Sequence, residues 1–242
     1  MSVCIIPARG GSNRIPRKNI KPFCGKPIIA WSIEAAFASR LFTSVIVSTD
    51  DSEIAAVAKS FGAAAPFQRP PELSDDHATS LAVMQHAVRW LEAQGVSPET
   101  ACCLYPTAPL VQARDLVMAA DALSTSGADF AFPVTSFAFP IQRALRRNNE
   151  GRVAMFHPED QLTRSQDLEP AYHDAGQFYW GTTAAWLEGR PVYGGKTTTL
   201  VLPRYRVQDI DTEEDWLRAE FISRLLQDDS HDRQVNEQGR SR

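Results

Sequence analysis

Short apolar runs of strand length alternate along this chain with longer segments of helical period, and that alternation sets the folds open to it. Val3–Pro7 predicts a buried strand. Pro27, at a first-turn position, precedes Ile28, Ile29, Ile33 and Phe37 on one helical face. Ser44–Ser48 reads as the next strand, Asp51 or Ser52 as the cap of a helix through Phe61, and Ala64–Phe67 as a further short strand. Ser80–Ala93 puts Leu81, Met84, Ala87, Val88 and Leu91 on one stripe. Ala101–Leu104 then reads as strand, Val111–Leu123 as helix and Phe130–Val134 as strand. Repeated βα units predict an α/β fold: a Rossmann-like, mostly parallel sheet with helices on both faces.

From Thr135 to about Ala175 the rhythm breaks. Pro140, Arg143, Arg146-Arg147, Asn148-Asn149 and Pro158 mark a small insertion of short strands and excursions that contacts a partner or a substrate. Strand signals return at Gln177–Trp180, Thr199–Leu202 and Arg206–Ile210, followed by a helix from Thr212 to about Leu226. With 242 residues and 43% hydrophobic content the chain can bury the core of one large domain, expected over 1–226. Residues 227–242 hold Val235 as their only apolar side chain and predict a disordered tail.

Several classes fall away on composition. With 29 acids against 25 Lys and Arg, a broad nucleic-acid face is not expected. Cys4, Cys24, Cys102 and Cys103 form no CxxC pair, and adjacent Cys102 and Cys103 point to opposite faces of a strand, which favours reduced structural thiols in the cytoplasm. Arg9 interrupts the N-terminal apolar run too early for a signal peptide, and no stretch is long enough to span a membrane.

Against that acidic balance, the loop after the first predicted strand is strongly basic. Arg9, Arg14, Arg17, Lys18, Lys21 and Lys26 surround Gly10-Gly11-Ser12, with no Asp or Glu before Glu34. In an open parallel sheet, ligands gather at the carboxyl ends of strands. Two adjacent glycines let backbone N–H groups face a phosphate, and the cations supply charge, with Arg9 and Lys18 as the expected direct contacts. Neither the spaced glycines of a dinucleotide loop nor the Gly-Lys-Ser/Thr of a Walker loop is present. The competing reading is a solvated basic loop.

These residues carry a resemblance. Ile6-Pro7-Ala8-Arg9-Gly10-Gly11-Ser12, Ile15-Pro16-Arg17-Lys18-Asn19-Ile20 and Gly25-Lys26-Pro27 resemble the signature of the cytidylyltransferases that activate nonulosonic acids, relatives of the CMP-sialic acid synthetases. Ser48-Thr49-Asp50-Asp51, Arg69-Pro70-Pro71-Glu72-Leu73-Ser74, Pro106-Thr107-Ala108-Pro109 and Asp209-Ile210-Asp211-Thr212 follow in the family's order, over about Ser2 to Leu226. Tyr105–Pro109 and His173–Gly181 look most like the family's pseudaminic acid branch.

The resemblance implies a nucleotide-diphospho-sugar transferase type of fold and a CTP site made by Ala8, Arg9, Gly10, Gly11, Ser12, Asn13, Lys18, Asn19, Arg69, Ser80 and Tyr105. Arg69 in its Pro-rich turn also reads as merely exposed, and Ser80 as a helix cap. Asn13 stands where many relatives have lysine, and Tyr105 where sialic-acid enzymes have glutamine. Asp209 and Asp211 resemble the family's metal pair, and on an extended strand their i, i+2 spacing lets both reach one Mg²⁺. Asp211 or Thr212 also reads as the cap of the following helix.

The implied reaction joins CMP from CTP to the anomeric hydroxyl of a nonulosonic acid, most closely pseudaminic acid, and releases pyrophosphate. Sialic acid, legionaminic acid or Kdo is the alternative acceptor, and a non-catalytic nucleotide-binding protein the alternative class. Arg9, Lys18, Asp209 and Asp211 would carry the chemistry, and Arg164, Asp174, Gln177 and Tyr179 would meet the sugar acid. The family also implies a homodimer built through the insertion, with Phe130, Phe132, Phe137, Phe139 and Phe156 as candidate apolar contacts.

Overall fold

A computed structural model describes residues 1–12 and 14–239, with side chains through Gln227; Asn13 lies outside the described residues. Strand β1 (Ser2–Pro7) enters the basic loop, which contains a 3-10 turn at Lys18–Ile20 and a small ribbon of β2 (Pro22–Phe23) and β3 (Lys26–Pro27) before helix α1 (Ile28–Ser39). Then come β4 (Ser44–Ser48), α2 (Ser52–Ser60), α3 (Ser80–Ala93), β5 (Thr100–Leu104), α4 (Ala113–Ser126) and β6 (Phe130–Ser136). The insertion carries a hairpin of β7 (Leu145–Arg147) and β8 (Val153–Met155). The chain returns through β9 (Tyr172–Asp174), β10 (Phe178–Thr182), α5 (Thr183–Glu188), β11 (Thr197–Val201) and α6 (Glu213–Gly239).

The central sheet has the order β11-β6-β10-β5-β1-β4, with β9 paired to the end of β6. β1 pairs parallel with β4 and β5, and β11 with β6, while β10 and β9 run antiparallel. The sheet is therefore mostly parallel, as expected. β10 is reversed because no crossover helix returns the chain between the insertion and this strand, so it re-enters from the opposite direction.

Burial on both faces explains the apolar strands. Val3 and Ile5 face the layer with Met84 and Val88 of α3 and Trp186 of α5, while Cys4 and Ile6 face Ile29 and Ile33 of α1 and Leu116 of α4. Cys102 and Cys103 divide between the same two layers, and all four cysteines are free thiols. Among the described residues no helix is long and apolar enough to cross a membrane.

Some expected elements differ. The strand at Ala64–Phe67 reduces to isolated bridges at Ala64 and Gln68, since Pro66 has no N–H for a ladder. Arg206–Ile210 is not a strand: Arg204–Arg206 forms a 3-10 turn, and the Arg206 side chain turns inward to Asp115. On α1 the buried stripe continues through Ala36, which leaves Phe37 exposed. The last helix continues past Leu226 to Gly239; the tail expected over 227–242 falls partly on that helix and partly outside the described residues. Phe130 and Phe132 belong to the core rather than to an outer contact surface, because β6 is covered on that face by α5 and Tyr179.

Candidate functional site

The topology reverses at β1: α1 carries the chain to β4 on one side, and β5 joins on the other. A crevice at such a switch point, outside the carboxyl ends of the strands, is where ligands bind in open α/β sheets. A cavity of about 550 Å³ lies there, with Pro7 at the end of β1, Arg9 just after it, and Tyr105, Pro106 and Thr107 following β5.

The basic loop is pinned from below. Ile15 is fully buried with Phe23, Ile28, Ile210 and Trp216, a burial worth about 2 kcal/mol. Asn19 Nδ2 donates to the Arg9 carbonyl at 2.9 Å, which ties the two ends of the loop together. Arg17 adopts a left-handed conformation (φ 55°) just before the turn that presents Lys18. For a non-glycine residue that conformation costs about 1–2 kcal/mol. Ser12, Arg14, Lys18 and Asn19 all line the cavity beside Arg9.

The loop's cations are paired with carboxylates. Arg9 pairs with Asp76, Arg14 with Asp211 at 2.7 Å, Arg17 with Asp51 and Glu53, Lys21 with Glu213 at 2.7 Å, and Lys26 with Glu34. Lys18 Nζ donates to the Ile210 carbonyl and lies 3.5 Å from Asp211. Most of these pairs are partly exposed, where an ion pair contributes only about 0.2–1 kcal/mol, so a polyphosphate can displace the carboxylates.

The opposite wall resolves two alternatives left open by the sequence. Arg69 is buried: Nε donates to Ser48 Oγ at 3.1 Å, and the terminal nitrogens reach the carbonyls of Ser48 and Leu73. Burial lowers its pKa to about 10, with Asp50 opposing the shift and Arg9 adding to it. Ser80 is not the cap of α3, because Thr79 Oγ1 accepts from Ala82 N; its hydroxyl faces the Tyr105 hydroxyl at 3.3 Å inside the cavity. Burial raises the Tyr105 pKa, so the phenol is neutral and available as a donor.

Of the loop residues expected at the nucleotide, Ala8 and Gly10 are engaged by the protein itself. The Ala8 side chain is in the core and its N–H donates to Ser48 O. Gly10 N–H donates to Asp50 Oδ1 at 2.9 Å, so it is not turned to the cavity. A Cβ at Gly10 would lie 2.8 Å from Asp51 Oδ2, whereas the space at Gly11 is open.

Asp211 does not cap α6. Thr212 and Asp215 exchange the capping hydrogen bonds, which leaves the Asp211 carboxylate to Arg14 and Lys18. Asp209 and Asp211 flank buried Ile210. Burial and then the charge of Asp211 raise the Asp209 pKa, with Lys18 opposing. Carboxylates two residues apart offer oxygen donors of the kind that suits a hard divalent cation.

Beyond Tyr105, the Tyr179 ring tilts against it at 5.5 Å, and the Tyr179 hydroxyl donates to Asp174. Tyr193, missed by sequence reasoning because it lies in a turn before Gly194-Gly195, donates to the same Asp174 oxygen at 2.6 Å. Burial raises both phenols, Tyr193 to about 12. Gln177 is buried and donates to Arg206 O at 2.9 Å. Arg164 lies on the exposed insertion, paired with Asp167 at 2.7 Å, and does not line the cavity. Asp76, also missed, lines the cavity and holds Arg9; the acidic run before Thr79 reads from sequence only as a loop.

A mostly parallel sheet with a cation-lined cavity at its switch point defines an α/β nucleotidyltransferase fold. The chain belongs to the cytidylyltransferase family, whose model matches residues 3–231. It is 49% identical over 224 residues to the pseudaminic acid cytidylyltransferase of Campylobacter jejuni, a match covering 93% of this chain and 97% of that one. It is 34% identical to N-acylneuraminate cytidylyltransferase A of Danio rerio, over 89% of this chain and 49% of that protein. Among solved structures, CMP:2-keto-3-deoxy-manno-octonic acid synthetase complexed with CTP shares the fold, with a TM-score of 0.65, 18% identity, and coverage of 94% of this chain and 99% of that one.

Proposed function

We propose that the chain transfers CMP from CTP to the anomeric hydroxyl of pseudaminic acid. The observation that carries this reading is the convergence of Arg9, Ser12, Lys18, Asn19, Arg69, Ser80 and Tyr105 on one cavity, in a chain 49% identical to a pseudaminic acid cytidylyltransferase over nearly all its length. Arg9, Lys18 and Arg14 take the triphosphate from their carboxylates, and the Ser80–Tyr105 side receives the nucleoside. The anomeric oxygen attacks the α-phosphorus, the new O–P bond forms as the bond to pyrophosphate breaks, and the hydroxyl proton leaves to solvent. Transfer of this kind depends on alignment and charge neutralisation, and needs no covalent residue.

Asp209 and Asp211 would hold Mg²⁺, which when bound supplies Lewis-acid neutralisation of phosphate oxygens and a lower pKa for the attacking hydroxyl. Lys18 ties the segment between the two carboxylates to the loop through the Ile210 carbonyl. Asp174, held by Tyr179 and Tyr193, accepts from polar groups of the sugar, and Gln177 serves the same side from its bond to Arg206 O. Arg164, exposed on the insertion, meets the sugar carboxylate across a homodimer. The main domain is 1–226, the insertion its dimer contact, and free thiols with a CTP-dependent reaction fit the cytoplasm.

Pyrophosphate release from CTP with a panel of pseudaminic, legionaminic and sialic acids and Kdo tests this. Pseudaminic acid is expected to give the highest kcat/KM. Preference for another acid would overturn the acceptor, and no release with any of them would overturn the reaction.

A further inference from the structure

Arg206 and Asp115 form an ion pair whose two side chains are each only 3% exposed. The Arg206 fork meets both carboxylate oxygens, with Nη1 to Oδ1 at 3.2 Å and Nη2 to Oδ2. Asp115 also accepts from Gln112 N at the start of α4, so the carboxylate is fixed in the helix's first turn. The Arg206 carbonyl accepts from Gln177 Nε2 at 2.9 Å, which joins the same residue to the start of β10. Neither Arg206 nor Asp115 lines the cavity.

The position of this pair along the chain gives it a role. Arg206 is the anchor before Asp209; buried Ile210 and the Thr212–Asp215 cap anchor the far side. Residues 207–211 are neither helix nor strand, so no ladder fixes their side chains. Among the described residues, buried Arg206 Nε and Gln177 Oε1 make no hydrogen bond. Unpaired buried polar atoms lower stability, and a buried ion pair is often no better for stability than apolar side chains of the same volume. What the pair does fix is the place of Arg206 against the first turn of α4.

We propose that the Arg206–Asp115 pair is a positioning clamp that sets the Asp209 carboxylate opposite Asp211 for the divalent cation. This rests on the reading of Asp209 and Asp211 as metal ligands. Outer partners that orient ligands commonly change metal affinity by about 10–100-fold when altered. Like-for-like burial should keep the fold in the double variant Asp115→Asn/Arg206→Met, since Asn retains the acceptor for Gln112 N. Arg206→Lys, which keeps the charge and loses the fork, is the second variant.

The readout is Mn²⁺ binding, followed by the loss of free-ion spin resonance as Mn²⁺ is added to the full chain without nucleotide. Nucleotide binding without metal is measured by calorimetry in parallel. The double variant is expected to need about ten-fold more Mn²⁺ for half-saturation, with Arg206→Lys between it and the wild type, while metal-free CTP binding stays unchanged. Wild-type Mn²⁺ affinity in either folded variant overturns the clamp. Asp209→Ala separates the two levels: unchanged Mn²⁺ binding there removes the metal reading itself.

Discussion

Asp76 holds Arg9 at the wall of the cavity, its Oδ1 accepting from the arginine's Nη1, with side chains 55% and 35% exposed. A carboxylate thus occupies the arginine proposed to meet the triphosphate. An exposed pair of this kind contributes about 0.2–1 kcal/mol, which corresponds to about a 1.4- to five-fold competition. Asp76→Asn is expected to lower KM for CTP by about that factor with little change in kcat, and the gap should narrow as salt screens the pair. Initial rates over a CTP series check this. A higher KM would show that Asp76 assists binding.

Much of the frame is legible in the sequence because its signals are local. β1 and β4 are short apolar runs, α3 a clean stripe, and the cap of α2 falls on Asp51, one of the two residues the sequence offers for it. The basic loop is legible for the same reason, as a run of cations beside one strand. What the sequence hides are long-range partners: Asp76 for Arg9, Asp211 for Arg14, and Asp115 for Arg206. Arg206 misleads most, since Arg206–Ile210 has strand-like spacing while its first side chain is drawn into a buried ion pair. Tyr193 carries no local signal, and its bond to Asp174 exists only through the fold.

Asp51 links the basic loop to α2. Its Oδ1 accepts from Glu53 N at 2.9 Å and Ile54 N at 3.0 Å, and Oδ2 meets Arg17. Arg17 above all lowers its pKa below the ordinary value of 3.8. The group therefore contributes stability that is present above 3.8 and lost as pH falls through its lower, folded value. Asp51→Ala is expected to cost about 1–2 kcal/mol at neutral pH, the range for a lost helix cap. Urea denaturation at stepwise lower pH should bring wild type and variant together below 3.8, and a constant difference there would refute the linkage.

The insertion exposes Phe139 (82%) and Leu162 (94%), with Phe137 and Phe156 also open. A groove bounded by Phe139, Pro140, Leu145 and Met155 runs beside the β7–β8 hairpin. Clustered apolar side chains on one segment mark a contact surface, which the proposed homodimer uses. Phe139→Asp is expected to weaken self-association by on the order of thirty-fold, the effect of removing an interface hot spot. Light scattering over a concentration series reads this directly. A chain that is monomeric before substitution sinks the dimer.

Gly10 and Gly11 look equivalent in sequence and are not equivalent in space. At Gly10 an added Cβ would lie 2.8 Å from Asp51 Oδ2 and 3.0 Å from Asp51 Cβ, and Asp51 cannot yield because α2 and Arg17 hold it. At Gly11 nothing lies within 4 Å. Gly10→Ala is therefore expected to push the loop away from α2 and carry Arg9 with it. A displacement near 1 Å can reduce kcat/KM by about a hundred-fold. Gly11→Ala should stay near wild type if crowding by the protein is the sole constraint. Equal losses in the two variants would place the requirement at Gly11 in the approach of a phosphate to its backbone, where no side chain of this protein competes for the space.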